Sequence, residues 1–162
     1  MRKQPSSDDA HEVVYFQRHL DDDPGQSSPG RVFLREVCPV KVRSTMSAVL
    51  TAVAAAPPKR FAGGGYWEAM KGDMAGWFEV RVDGPERRHY RLFCLLDYEA
   101  EGNEKPLLVV VAGLDKPFRT VLSGADYQRI EAWARSTGAG ILARRYENLR
   151  RRPGGASRPA AR

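Results

Sequence analysis

The chain has 162 residues, 42% of which are hydrophobic, and a formal net charge of +6. This length suffices for one domain with a sizeable core but is too short for two substantial domains. Residues 144–162 carry seven arginines and a single acid, so they account for the whole net charge and residues 1–143 sum to zero. A uniformly basic body is therefore excluded, and any polyanion site in the fold must be a local cluster.

Cysteine usage and hydropathy bear on where the protein works. Cys38 and Cys94 fall within predicted regular elements and have neither disulfide nor zinc spacing. No stretch approaches the length of a membrane span, and the polar first ten residues lack the apolar run of a signal peptide. We therefore expect a cytoplasmic protein with reduced thiols and no membrane partner.

The first third of the chain predicts one strand and two helices. Residues 1–11 are polar and are expected to be disordered, and the β-branched and aromatic residues 13–16 predict the first strand. Ser28 followed by Pro29 predicts a helix start, and Pro39 must break or kink the helix that follows. A second helix is predicted over residues 40–56. The glycine-rich residues 61–65 lack the spacing and the lysine of a P-loop, so a flexible linker is favoured over phosphate binding.

Three strands and a helix are predicted next. The strands cover residues 76–82, 89–97 and 106–114, and the helix begins near Asp126 and ends near residue 137. Helices grouped before a run of strands predict an α+β domain over residues 12–137, with an antiparallel meander, a helical hairpin on one sheet face and a C-terminal helix. The other sheet face is expected to stay open. Residues 138–162 are expected to form a basic, mostly disordered tail.

The strand over residues 76–82 has two chemically different faces. Because successive side chains in a strand point to opposite faces, Phe78 and Val80 belong to the core, whereas Trp77, Glu79 and Arg81 share the other side. A carboxylate two residues from a guanidinium, beside an indole, is unusual for a purely structural strand. This alternation indicates a functional surface opposite the helices.

Several short motifs occur in a fixed order along these elements. They are Phe33-Leu34 ahead of Pro39, Val40-Lys41-Val42-Arg43, Gly76-Trp77-Phe78-Glu79-Val80-Arg81, Tyr90-Arg91-Leu92-Phe93, and the run from Val109 to Thr120. Together they resemble the RelE/ParE superfamily of type II toxins, and within it the phage-derived HigB-like toxins. The resemblance covers roughly residues 12–135.

The resemblance implies a RelE-like fold and a ribosome-dependent mRNA endonuclease that uses neither a metal nor a cofactor. Its partners would be the ribosome, mRNA and a cognate antitoxin, with DNA contacted only through the antitoxin complex. Cleavage by attack of the ribose 2′-hydroxyl on the neighbouring phosphate needs a base, cations for the growing phosphate charge, and an acid for the departing 5′-oxygen.

The resemblance also implies roles for individual residues. Arg91 matches the family arginine of the Tyr-Arg-Leu strand and would stabilise the phosphate charge, and Arg81 would supply a second fork. Glu68 occupies the place of the glutamate of YoeB-like members and is the first candidate base, with Glu79 second. Alternatively, Glu79 only forms an ion pair with Arg81 or Arg91 and has no catalytic role. The remaining candidates are His89 and Tyr127 as acids, Lys116 and Arg119 at the basic turn to hold RNA or assist, and Trp77 and Phe93 as aromatic contacts to RNA. The alternatives are core or rim packing for Trp77 and an ordinary surface position for His89.

Two other functions stay open. ParE-like members share the fold and inhibit DNA gyrase without catalysis, against which the carboxylates Glu68 and Glu79 weigh. A degenerate domain kept as a binding module would need no basic cluster that faces a phosphate.

Overall fold

The computed structural model describes residues 5–18, 20–21, 23–61, 64–98, 104–119 and 124–135; the predicted C-terminal tail lies outside these residues. Five strands form one sheet in the order β1-β5-β4-β3-β2. Their bounds are Glu12–Tyr15 (β1), Trp67–Ala69 (β2), Trp77–Gly84 (β3), Arg88–Asp97 (β4) and Leu107–Pro117 (β5). β1 runs parallel to β5, and all the other pairs are antiparallel. The predicted α+β architecture with its antiparallel meander is confirmed.

The predicted helical hairpin covers one face of this sheet. It consists of α1 (Pro29–Val32), a π-helical turn (Phe33–Val37) and α2 (Val40–Ala55). Pro39 lies just before α2 with an extended backbone, so it separates the two helical segments as the sequence predicts. The apolar stripe of α2 packs against the sheet side chains that alternate inward, and the core contains Val42, Met46, Leu50, Val53, Val80, Val82, Leu92, Cys94, Leu108 and Val110.

A close contact between the hairpin and the centre of the sheet involves Gly113. A Cβ atom at this residue would lie 2.1 Å from the ring of Phe33, which is itself buried. Only a residue without a side chain lets the π-helical turn approach β5 this closely. The contact fixes the position of the hairpin relative to β5.

The opposite face does not stay open, which corrects the sequence prediction. Helix α3 (Gly124–Arg135) and the turn Gly72–Met74 cover part of it and form a second core. The physical reason is β5, whose residues 107–112 are fully buried and apolar on both faces, so they need cover on both sides. The second core contains Phe16, Met74, Trp77, Phe93, Val109, Val111 and Ile130.

Burial corrects the predicted role of Phe93 and, for Trp77, supports core packing, the alternative to contact with RNA. Phe93 has no exposed surface, and only 6% of Trp77 is exposed, so neither ring is free to stack on a base.

Strand β2, with only three residues, was not predicted. No helix among the described residues is long and apolar enough to cross a membrane.

Candidate functional site

The part of the second face that α3 leaves uncovered carries most of the predicted site residues. Side chains that pair directly across neighbouring strands point to the same face. Glu68 pairs with Glu79, Arg81 pairs with Arg91, and Asp83 pairs with His89, which in turn pairs with Lys116. We call this surface the charged face and define it by these residues: Glu68, Glu79, Arg81, Asp83, His89, Arg91 and Lys116.

Two guanidinium groups lie at the centre of the charged face. Like charges directly opposite each other in a ladder are destabilising, yet Arg81 and Arg91 are direct partners. Carboxylates offset this repulsion: Arg81 Nη1 lies 2.9 Å from Glu68 Oε1, and Arg91 Nε lies 3.9 Å from Glu79 Oε1. Together the two side chains can present paired N–H forks to an anion.

The surroundings of Arg91 fix its side chain. Only 13% of this side chain is exposed, and Nη1 donates a hydrogen bond of 3.1 Å to the carbonyl of Tyr90. Burial lowers the pKa of Arg91, and the charge of Arg81 lowers it further. Arg91 is therefore a half-buried, oriented cation whose interaction with an incoming anion is screened weakly by water.

Glu79 is the better placed of the two candidate bases. Burial raises its pKa, while the positive charges of Arg81 and Arg91 oppose that shift. Its side chain is 16% exposed, whereas that of Glu68 is 48% exposed and ion-paired with Arg81. Both carboxylates face an arginine, but only Glu79 is half-buried, and a raised pKa helps a carboxylate to accept a proton. Burial therefore favours Glu79, the second of the two candidate bases that the resemblance implies.

His89 is oriented by a residue that the sequence interpretation missed. Its Nδ1 lies 2.6 Å from Asp83 Oδ1, and its ring stacks on Phe118 with 4.5 Å between the ring centroids. A carboxylate on Nδ1 fixes the orientation of the imidazole and favours Nε2 for proton exchange. The same alternation that places Arg81 on the charged face also places Asp83 there, so the sequence contained the signal for it.

The remaining candidates lie at the edge of the charged face or beside it. Tyr127 on α3 contacts Phe93 edge-on, with 6.3 Å between ring centroids, and burial raises the pKa of its hydroxyl. Lys116 Nζ lies 3.1 Å from Asp126 Oδ2, an ion pair that joins β5 to the start of α3. Arg119 is exposed in the turn after β5, where its φ is 67°. The structure thus places Tyr127 beside the charged face and engages Lys116 in holding α3.

A groove opens along the side of the charged face, next to the two arginines. We call it the arginine groove; its volume is about 550 Å³. Its lining residues are Thr45, Gly64, Gly65, Tyr66, Arg81, Val82, Asp83, His89 and Arg91. Polar groups of the charged face therefore line a space that a small ligand can enter.

Among the described residues, no group of three or more histidine, cysteine or acidic side chains could hold a metal ion. Comparisons of the chain with protein-family models, with curated proteins and with solved structures find no match.

Proposed function

We propose that this protein is an endoribonuclease of the RelE/ParE type, the toxin of a type II toxin-antitoxin system. In this proposal it cleaves mRNA on the ribosome in the cytoplasm and is held inactive by a cognate antitoxin. The observation that carries the proposal is the direct pairing of Arg81 with Arg91, flanked on the same face by Glu79 and His89. The motif resemblance and the α+β architecture support it.

In the proposed reaction, the carboxylate of Glu79 takes the proton from a ribose 2′-hydroxyl, and the 2′-oxygen forms a bond to the adjacent phosphorus. The guanidinium groups of Arg81 and Arg91 stabilise the charge that grows on the phosphate oxygens. As the bond between phosphorus and the 5′-oxygen breaks, protonated His89 gives that oxygen a proton. The products are a 2′,3′-cyclic phosphate and a free 5′-hydroxyl, and Tyr127 is the alternative acid.

The test is single-turnover cleavage of mRNA on programmed ribosomes, with ribosome binding measured separately. Arg91→Ala should slow cleavage roughly a hundredfold or more, the usual scale for a lost electrostatic stabiliser. Arg91→Lys should recover only part of the rate because a point charge replaces a planar fork. Arg60→Ala is the matched control, since Arg60 is exposed and pairs only with the exposed Asp8 among the described residues.

Three results would overturn the proposal. A folded, ribosome-bound Arg91→Ala protein that cleaves at the wild-type rate would remove Arg91 from the active site. A wild-type protein that cleaves no message on programmed ribosomes would exclude the endonuclease. Growth arrest accompanied by DNA breaks, with messages intact, would support inhibition of gyrase instead.

A further inference from the structure

Tyr66 lies beside the two arginines of the charged face, and its aromatic side chain has no role in the proposed reaction. The N–H of Arg81 donates a hydrogen bond of 2.9 Å to the carbonyl of Tyr66, so the β2–β3 pairing begins one residue before the start of β2. Tyr66 therefore stands next to Arg81, and alternation along the chain puts it on the same face as Glu68. Tyr66, Arg81 and Arg91 form one row across three neighbouring strands.

The exposure of Tyr66 is not explained by folding. Its exposed fraction is 47%, while Trp67, the next residue, is buried and stacks on Phe78. None of the aromatic contacts found among the described residues involves the ring of Tyr66. An exposed ring on a backbone fixed by a ladder hydrogen bond is available for a ligand at little entropic cost.

Two glycines, which have no side chains, form the wall of the arginine groove next to Tyr66. Gly64 and Gly65 have φ values of 62° and 86°, a region that other residues rarely adopt, and a Cβ at either would have no atom within 4 Å. The groove is thus open in front of this wall. Its volume of about 550 Å³ lies within the range of roughly 300–1,000 Å³ that is typical of small-ligand sites.

We propose that the arginine groove is a nucleotide subsite, in which Tyr66 stacks on an unpaired RNA base adjacent to the phosphate bound by Arg81 and Arg91. This inference rests on the proposed function and adds the base to the phosphate. A ring next to two guanidinium groups matches the two parts of a nucleotide, a π-face and an anion. The base must be unpaired, because bases within a duplex do not offer a free face for stacking.

The first experiment measures binding of a labelled single-stranded RNA hexamer to the full chain by fluorescence anisotropy at fixed low salt. A second hexamer lacks one base, at the position where this loss weakens wild-type binding most, but keeps its ribose and phosphate. Tyr66→Ala should weaken binding of the intact hexamer roughly five- to hundredfold, the range for a lost stacking contact, and should leave binding of the abasic hexamer unaffected. Tyr66→Phe should bind as the wild type does, and Arg81→Ala should weaken both hexamers alike.

Tyr66→Leu guards against loss of folding, because it keeps apolar bulk without a π-face; circular dichroism checks each variant. The subsite is refuted if folded Tyr66→Leu and Tyr66→Ala bind the intact hexamer as tightly as the wild type, or if their losses are equal on intact and abasic RNA. Absence of wild-type binding also refutes it. If binding depends on the base but no message is cleaved on ribosomes, the endonuclease is refuted and the subsite is retained. If messages are cleaved at a rate that does not depend on Tyr66, the subsite is refuted and the endonuclease is retained.

Discussion

Replacement of Gly113 by alanine tests the packing that holds the helical hairpin on the sheet. The added Cβ would lie 2.1, 2.4 and 2.5 Å from three atoms of the Phe33 ring, whereas carbon atoms in contact are ordinarily about 3.5–4.0 Å apart. The ring must therefore withdraw by roughly 1.5 Å. Phe33 is 5% exposed and packs near Tyr90, so it has little room to move. Gly113 does not have the positive φ that disfavours alanine, so the cost is steric rather than conformational.

Overpacking of this kind costs about 1–3 kcal/mol, with larger values where the neighbours cannot move. For a domain of this size, that loss corresponds to a decrease in Tm of roughly 3–15 °C. Urea unfolding followed by circular dichroism measures the free energy of unfolding directly. The matched control is Gly124→Ala at the start of α3, where a Cβ meets no atom within 4 Å. The control should be neutral or stabilising by up to about 1 kcal/mol.

A double mutant identifies the clash. Phe33→Leu removes ring atoms from the space that the new methyl group needs, so it should recover part of the stability lost in Gly113→Ala. The coupling free energy between the two substitutions should be favourable and at least about 0.5 kcal/mol, as for residues in contact. If Gly113→Ala is as stable as Gly124→Ala, or if the two effects simply add, the close approach of Phe33 to β5 does not constrain the fold.

Two further predictions concern buried titratable groups. Burial lowers the pKa of His11 below its ordinary value of 6.5, since the ring contacts Tyr98 and is 7% exposed. As the pH falls below 6.5, the unfolded chain binds this proton before the folded chain does, so the free energy of unfolding should decrease. Urea unfolding measured between pH 5 and 8 should show this dependence of the free energy on pH, and His11→Gln should reduce it. Burial also raises the pKa of the Cys38 thiol to about 12 and raises that of Cys94. Both thiols should react with a disulfide reagent at least tenfold more slowly in the native protein than in the unfolded chain, and a rapidly modified native thiol would contradict this burial.

Most of the fold follows from periodicity and proline placement. Alternation over residues 76–82 and the two-sided apolar run in β5 predict the central strands, and Pro39 separates the helices as expected. What the sequence prediction missed depends on tertiary packing. The three residues of β2 are too few to show a periodic pattern. The cover that α3 provides depends on the packing of Ile130 against side chains of β5, which are distant in sequence.

The same distinction applies to the candidate site. Alternation within a strand puts Glu79 and Arg81 on one face, and the cross-strand register alone shows that Arg81 lies directly opposite Arg91. Trp77 obeys the same alternation, but α3 and its neighbours bury it. The sequence therefore predicts on which face of the sheet this side chain lies, but not whether it is exposed to solvent. Tyr66 escaped notice because its link to Arg81 is a backbone hydrogen bond, which leaves no trace in side-chain patterns.

The charged face begins where the second core ends, and this boundary determines its chemistry. Tyr127 packs on the buried Phe93. Burial and the charge of Glu79 raise the pKa of Tyr127, and the charge of Arg91 opposes this shift. Partial burial by this edge keeps Glu79 less acidic and Arg91 less hydrated than fully exposed groups would be. A sheet built for stability alone would place apolar or oppositely charged partners at residues 81 and 91. The opposed arginines therefore carry a local cost in stability, which Glu68 and Glu79 offset only in part, and such departures from local rules are typical of functional sites.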